Sequence, residues 1–191
     1  SPVVILPLKR DIDAGFVIID GKSGQADSDD PTFSIESSSS YVVIRELHFT
    51  SSFVNRYSTD ANGNDLVWTS GISVGGKNCK IINCFMYDNL SNGIISGYIG
   101  TGNEFYGNIV FHNGCVTGSN NPRSHGAYIQ NDNSSQRKTF ENNILFNNYR
   151  TGIHAYSDGG KIIGVSLIGN IVFNNGMMRQ SGMSDKNIIA G

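Results

Sequence analysis

One short block recurs along this chain and leaves it few ways to fold. It reads Gly107-Asn108-Ile109-Val110-Phe111-His112-Asn113-Gly114, then Asn142-Asn143-Ile144-Leu145-Phe146-Asn147-Asn148, then Gly169-Asn170-Ile171-Val172-Phe173-Asn174-Asn175-Gly176. Weaker copies are Asn83-Cys84-Phe85-Met86-Tyr87-Asp88-Asn89 and Arg45-Glu46-Leu47-His48-Phe49-Thr50-Ser51. A second block accompanies the first: Gly71-Ile72-Ser73-Val74, Gly93-Ile94-Ile95-Ser96, Gly126-Ala127-Tyr128-Ile129 and Gly152-Ile153-His154-Ala155. Self-similarity of this kind marks a solenoid, in which each repeat is one supersecondary unit.

The apolar residues of the first block alternate, and a period of two means strand. A strand of four or five residues cannot bury its own face. Coil stacked on coil buries a continuous core and satisfies the backbone between coils. Equivalent residues then lie about 4.8 Å apart along the axis and form ladders. Ile109 with Phe111, Ile144 with Phe146 and Ile171 with Phe173 are expected to point inward. This predicts an interior aromatic ladder of Phe49, Tyr87, Phe111, Phe146 and Phe173. An amide ladder of Asn89, Asn113, Asn148 and Asn175 is expected at the corner. Asn tolerates a left-handed backbone there, and its amide can bond the coils above and below.

The expected fold is all-β: a right-handed, single-stranded parallel β-helix of about five to six coils. It forms one domain over 1–191, with an early coil in 1–32 and repeats in 33–191 interrupted by insertions at 53–69, 114–124 and 177–186. A β-sandwich has no reason to repeat Asn and Gly in fixed columns, and a leucine-rich solenoid would show Leu-rich and helical stretches. Composition agrees: Gly is frequent at 23 residues and Pro rare at 4, which suits strands and turns.

Only 16% of residues are charged and the net charge is −2, so the electrostatic footprint of a nucleic-acid binder is absent. No apolar run is long enough to span a membrane. Cys79, Cys84 and Cys115 show no metal spacing and read as buried thiols. The chain opens and closes abruptly on strand-like sequence, so both ends are expected to be boundaries within a longer β-helix. Bare solenoid ends pair with other chains, and self-association through them is expected.

Asn-Ile-x-Phe-x-Asn followed by Gly-Ile resembles the repeat of the pectate-lyase-like right-handed β-helix proteins, over about residues 33 to 191. Pro2-Val3-Val4-Ile5 and Val17-Ile18-Ile19-Asp20-Gly21 resemble the early coils of such proteins, which usually sit behind a capping helix; none is present in this sequence. The resemblance implies the fold. The superfamily includes polysaccharide lyases, glycoside hydrolases, epimerases, phage tailspikes and adhesins, so activity must be read from the site.

The three insertions fall at one corner, between the Asn column and the following Gly. Long loops beside one sheet make a groove wall, and loops on a rigid scaffold commonly carry function. In the Gly-Ile strands, Ile72, Ile94, Ala127 and Ile153 should point inward, as should Val74, Ser96, Ile129 and Ala155. Three columns should then face outward. One is Ser73, Ile95, Tyr128 and His154; the next is Gly75, Gly97, Gln130 and Tyr156; the preceding one is Ser70, Asn92, His125 and Thr151.

Aromatic rings among planar polar groups suit sugars, which stack on apolar C–H faces and direct their hydroxyls. Substrate-binding candidates are His125, Gln130, Tyr156, Arg123 and Trp68, and the chain is expected to be secreted or periplasmic and to take a polysaccharide partner. A lyase acting on a uronic-acid polymer needs a base and a cation that neutralises the carboxylate. His154 or Tyr128 could be the base, with Arg150 or Arg123 as neutraliser. A hydrolase needs paired carboxylates, for which Asp132 and Asp158 are the available acids. Asp60, Asn62 and Asn64 resemble the start of a calcium loop without its Gly or distal Glu, so Ca2+ is a weak cofactor candidate. The alternative of a different class is a non-catalytic module, an adhesin or tailspike-like fibre.

Overall fold

The computed structural model describes residues 2–7, 15–21, 31–52, 69–115, 125–133, 135–156, 161–176 and 186–191. Eighteen of the twenty strands among the described residues sort into three six-stranded parallel sheets, each strand pairing with its counterpart one coil away, and Asn131–Asp132 pairs with Ile162–Ile163 in a separate two-stranded sheet. The first sheet holds Val3–Ile5, Val42–Arg45, Lys80–Ile82, Glu104–Tyr106, Lys138–Glu141 and Val165–Ile168. The second holds Ile18–Asp20, His48–Thr50, Phe85–Tyr87, Ile109–Phe111, Ile144–Phe146 and Ile171–Phe173. The third holds Phe33–Ile35, Ile72–Val74, Ile94–Ser96, Ala127–Ile129, Ile153–Ala155 and Ile188–Ala190. This is the expected parallel β-helix solenoid, and each sheet's six strands give about six coils.

Phe49, Met86, Val110 and Leu145 line the core from the second sheet, Ile44, Ile81, Phe105 and Phe140 from the first, and Ile72, Ile94, Ala127 and Ile153 from the third. The phase of the second sheet is therefore opposite to the expected one. Val110 is fully buried, while Ile109 and Phe111 on either side are only half-buried. Register pairs Thr50 with Tyr87, Tyr87 with Phe111, Phe111 with Phe146 and Phe146 with Phe173. The aromatic ladder thus runs along the outer surface. Its rings stack at centroid spacings of 5.2, 5.1 and 5.3 Å with their planes nearly parallel. Phe49 alone of the expected set lies inside, in register with Met86.

The corners explain the phase. Asp88, His112, Asn147 and Asn174 carry the left-handed backbone, with φ between 51° and 56°. The ladder residues Asn89, Asn113, Asn148 and Asn175 come one position later and point inward, at most 3% exposed. Two roles expected of one residue are thus divided between neighbours. Each ladder amide donates to the next oxygen: Asn89 to Asn113 at 2.9 Å, Asn113 to Asn148 at 3.0 Å, Asn148 to Asn175 at 2.8 Å. A second ladder joins Asn108, Asn143 and Asn170 at the corner between the first and second sheets, both links being 2.9 Å.

The Gly column that opens the third sheet is required by close approach. A Cβ on Gly126 would sit 2.6 Å from the Gly152 carbonyl oxygen and 2.7 Å from the Asn148 amide nitrogen. The ladder and the glycines therefore fit as one unit. Cys79, Cys84 and Cys115 are buried, and desolvation pushes the Cys84 thiol up to about 11. Among the described residues no helix is long and apolar enough to cross a membrane.

Candidate functional site

The third sheet has the expected register. Ile95, Tyr128, His154 and Ile189 pair in sequence across adjacent coils on its outer face. Their flanking residues Ala127, Ile129, Ile153 and Ala155 are buried, so alternation sends Tyr128 and His154 outward. The three insertions at 53–69, 114–124 and 177–186 all join a second-sheet strand to a third-sheet strand. Most of their residues lie outside those described.

The preceding column departs from expectation. Ser70, Asn92, His125 and Thr151 are all buried, at 5% exposure or less. Asn92 is fixed there by function in the fold: its side-chain oxygen accepts the His125 backbone N–H at 2.8 Å. His125 is thereby held beside the outward column instead of standing on it. Its Nε2 lies 2.8 Å from Nδ1 of His154. Both rings are nearly covered, at 3% and 9% exposure.

The aromatic side chains assemble around this pair. Tyr156 stacks on His154 with centroids 5.2 Å apart and planes 15° from parallel. Tyr128 meets the His154 ring edge-on at 5.4 Å and lies 6.0 Å from the His125 ring. The Gln130 amide donates to the Tyr128 hydroxyl at 3.0 Å and to the Tyr156 carbonyl at 3.3 Å. His125, Tyr128, Gln130, His154 and Tyr156 therefore form one contiguous group, as expected from their spacing. Tyr156 is the most open of the five, at 37% exposure. Arg150 is half-buried at the short corner between the second and third sheets. Arg123, Trp68, Asp158 and the calcium candidates Asp60, Asn62 and Asn64 lie outside the described residues. Asp132 is described and forms an ion pair with Lys161 at 3.1 Å. Lys161 also lies over the Tyr98 ring, 4.4 Å from its centroid.

One charged residue escaped the sequence reading. Lys138 points inward from the first sheet and is fully buried. Its ammonium donates to the carbonyls of Gln130 at 2.7 Å, Gly97 at 2.8 Å and Ser96 at 3.2 Å, directly beneath the candidate surface. Desolvation pulls its pKa down to about 7, opposed by the Asp132 carboxylate. The only signal available was its position two residues before the core residue Phe140. His48 was also passed over. It stands in the outer row of the second sheet, stacked between Phe16 and Phe85 at 4.4 Å on each side.

Chemically, the group offers hydrogen-bonding side chains beside an aromatic surface, with a proton-sharing imidazole pair behind it. Two neutral imidazole nitrogens at 2.8 Å repel unless one carries the proton and the other accepts it. Among the described residues no three His, Cys, Asp or Glu side chains gather so that they could hold a metal ion. No protein-family model matches the chain, and no curated protein matches it either.

Proposed function

We propose that this β-helix is a polysaccharide-directed protein, secreted or periplasmic, that binds its polymer along the outer face of the third sheet. The observation that carries the reading is the single cluster of Tyr128, Gln130, His154 and Tyr156 on adjacent coils. Tyr156 supplies exposed ring surface for a sugar, and Gln130 and Tyr128 supply directed polar groups.

The catalytic form of this proposal is β-elimination on a uronic-acid polymer. His154 or Tyr128 takes the proton beside the carboxylate, and Arg150 or Arg123 neutralises that carboxylate. The test is absorbance in the unsaturated-uronide band after incubation with pectin, alginate and glycosaminoglycans, with and without Ca2+. A rise with one polymer supports the lyase; no rise with any of them removes it.

A second reading, binding without turnover, is favoured by the burial of His125 and His154, which leaves the aromatic and amide groups as the accessible part of the cluster. Retarded migration of the chain in gels containing the same polymers, without new absorbance, selects this reading. Absence of both signals rejects the polysaccharide proposal.

A further inference from the structure

We propose that Lys138 is a positioning residue for the third-sheet cluster: from inside the coil its ammonium holds the Gln130 backbone, and the proton it carries sets how firmly Gln130 fixes Tyr128 and Tyr156. Its part in polymer binding rests on the polysaccharide reading; the coupling itself rests on the chain alone.

Gln130 is gripped from both sides. Its carbonyl accepts from Lys138 Nζ at 2.7 Å inside the coil. Its side-chain amide donates to the Tyr128 hydroxyl at 3.0 Å and to the Tyr156 carbonyl at 3.3 Å. Lys138 Nζ also donates to the carbonyls of Gly97 at 2.8 Å and Ser96 at 3.2 Å. Ser96 belongs to the coil before that of Tyr128, and Tyr156 follows the strand of the coil after it. One ammonium and one glutamine thus tie three successive coils at the edge of the candidate surface.

The corner does not need a cation to close. Register places Asn103 at the Lys138 position one coil earlier. The Asn103 amide donates there to the carbonyls of Gly76 at 2.8 Å and Gly100 at 2.9 Å, so two neutral donors suffice. Lys138 offers three donors to three carbonyls, but only while it is protonated. As a neutral amine it keeps two N–H groups and turns a lone pair toward a carbonyl oxygen. Burial brings its pKa down to about 7, so both forms are reached close to neutral pH. Asp132 is the carboxylate acting on it, and Asp132 is paired with Lys161 at 3.1 Å. Asn103 and Val165, its neighbours in register, do not titrate. His125 and His154 are the other titratable groups near Tyr128, so the lysine's own signal must identify the proton concerned.

The test is an NMR titration of the full chain from about pH 6 to pH 9. The Lys138 side chain, the Gln130 side-chain amide and the Tyr128 ring are followed together. The Gln130 and Tyr128 signals should move with the midpoint of Lys138. In Lys138→Gln, which keeps a donor amide but cannot titrate, that step should vanish while any imidazole step stays. With a polymer that retards the chain, affinity should fall about tenfold across the Lys138 midpoint, and this fall should be absent in Lys138→Gln. If Lys138→Gln does not fold, the matched midpoints of the unmodified chain decide alone. Overturning results are a Lys138 side chain with no transition in the range, or a transition that leaves Gln130 and Tyr128 unmoved. Matched midpoints in a chain that binds none of the polymers support the coupling and overturn the functional reading alone.

Discussion

The side-chain amide of Asn113 donates to the side-chain oxygen of Asn148 at 3.0 Å, and the same oxygen receives the Asn113 backbone N–H at 3.1 Å. Asn148 in turn donates to Asn175 at 2.8 Å and to the carbonyls of Val110 and Phe146. One fully buried amide thus links three successive coils.

Asn148→Ala should therefore be among the most damaging single substitutions in the chain. It leaves several buried donors and acceptors unpaired, each costing about 1–3 kcal/mol. A loss of about 3–4 kcal/mol in unfolding free energy is expected, read by denaturant titration. Asn147→Ala is the control. Its side chain is on the outer corner, but its φ of 52° disfavours Ala, so a smaller loss of about 1 kcal/mol is expected. Equal losses for the two would mean that the ladder bonds contribute little.

The outer aromatic ladder makes a separate prediction. Leu145 is fully buried and faces the core, whereas Phe146 lies outside between Phe111 and Phe173. Leu145→Ala should cost about 2–5 kcal/mol by opening a cavity. Phe146→Ala should cost about 1–2 kcal/mol, the loss of two stacked contacts on a half-buried face. Relative unfolding midpoints decide the matter; the reverse order would restore the inward aromatic register.

That reversal shows where the sequence is legible and where it is not. The Asn and Gly columns identify the coil because each occupies an environment only those residues tolerate: a buried corner bonded on three sides, and a strand opening with no room for Cβ. Ile109-Val110-Phe111 is apolar on both faces of its strand. Alternation then reveals a period but no phase. The phase is set at the corner, where a left-handed residue such as His112 consumes one position before Asn113 turns inward. Asn108, two residues before Val110, would have fixed it, since both point inward.

The candidate site divides in the same way. Tyr128 and His154 are legible as outward because their neighbours are unambiguous core residues. The burial of His125 and its approach to His154 depend on how neighbouring coils stack, which no local pattern encodes. Lys138 contradicts the binary pattern outright, and only the ring of carbonyls around it explains an inward ammonium.

For the polymer surface, Tyr156→Ala should weaken oligosaccharide binding about tenfold, the equivalent of one aromatic stacking contact. The check is calorimetry with a polymer that retards the chain in gels. If elimination activity is found, Tyr128→Phe and His154→Ala should abolish it, with Gln130→Leu reducing it by loosening Tyr128. Full activity in both Tyr128→Phe and His154→Ala would place the chemistry on another face.

Lys138 makes the stability of the chain depend on alkaline pH. Its pKa is about 7 in the folded chain, against 10.5 as the ordinary value. The folded state therefore binds this proton less readily than the unfolded state does. Between about pH 7 and 10.5 the unfolded chain holds more protons, so this residue's contribution makes unfolding harder as pH rises. The stabilisation is fully present above the unfolded pKa and is lost as pH falls through this window toward the folded one. The slope can reach about 1.4 kcal/mol per pH unit. Lys138→Met should remove that slope, although it also strips an ammonium donor from the carbonyls of Ser96, Gly97 and Gln130 and so lowers stability overall. Denaturant titrations of both chains from pH 6 to pH 10 separate the two effects. A constant difference between wild type and variant across that range would show that Lys138 stays protonated inside the coil, its three carbonyls outweighing desolvation.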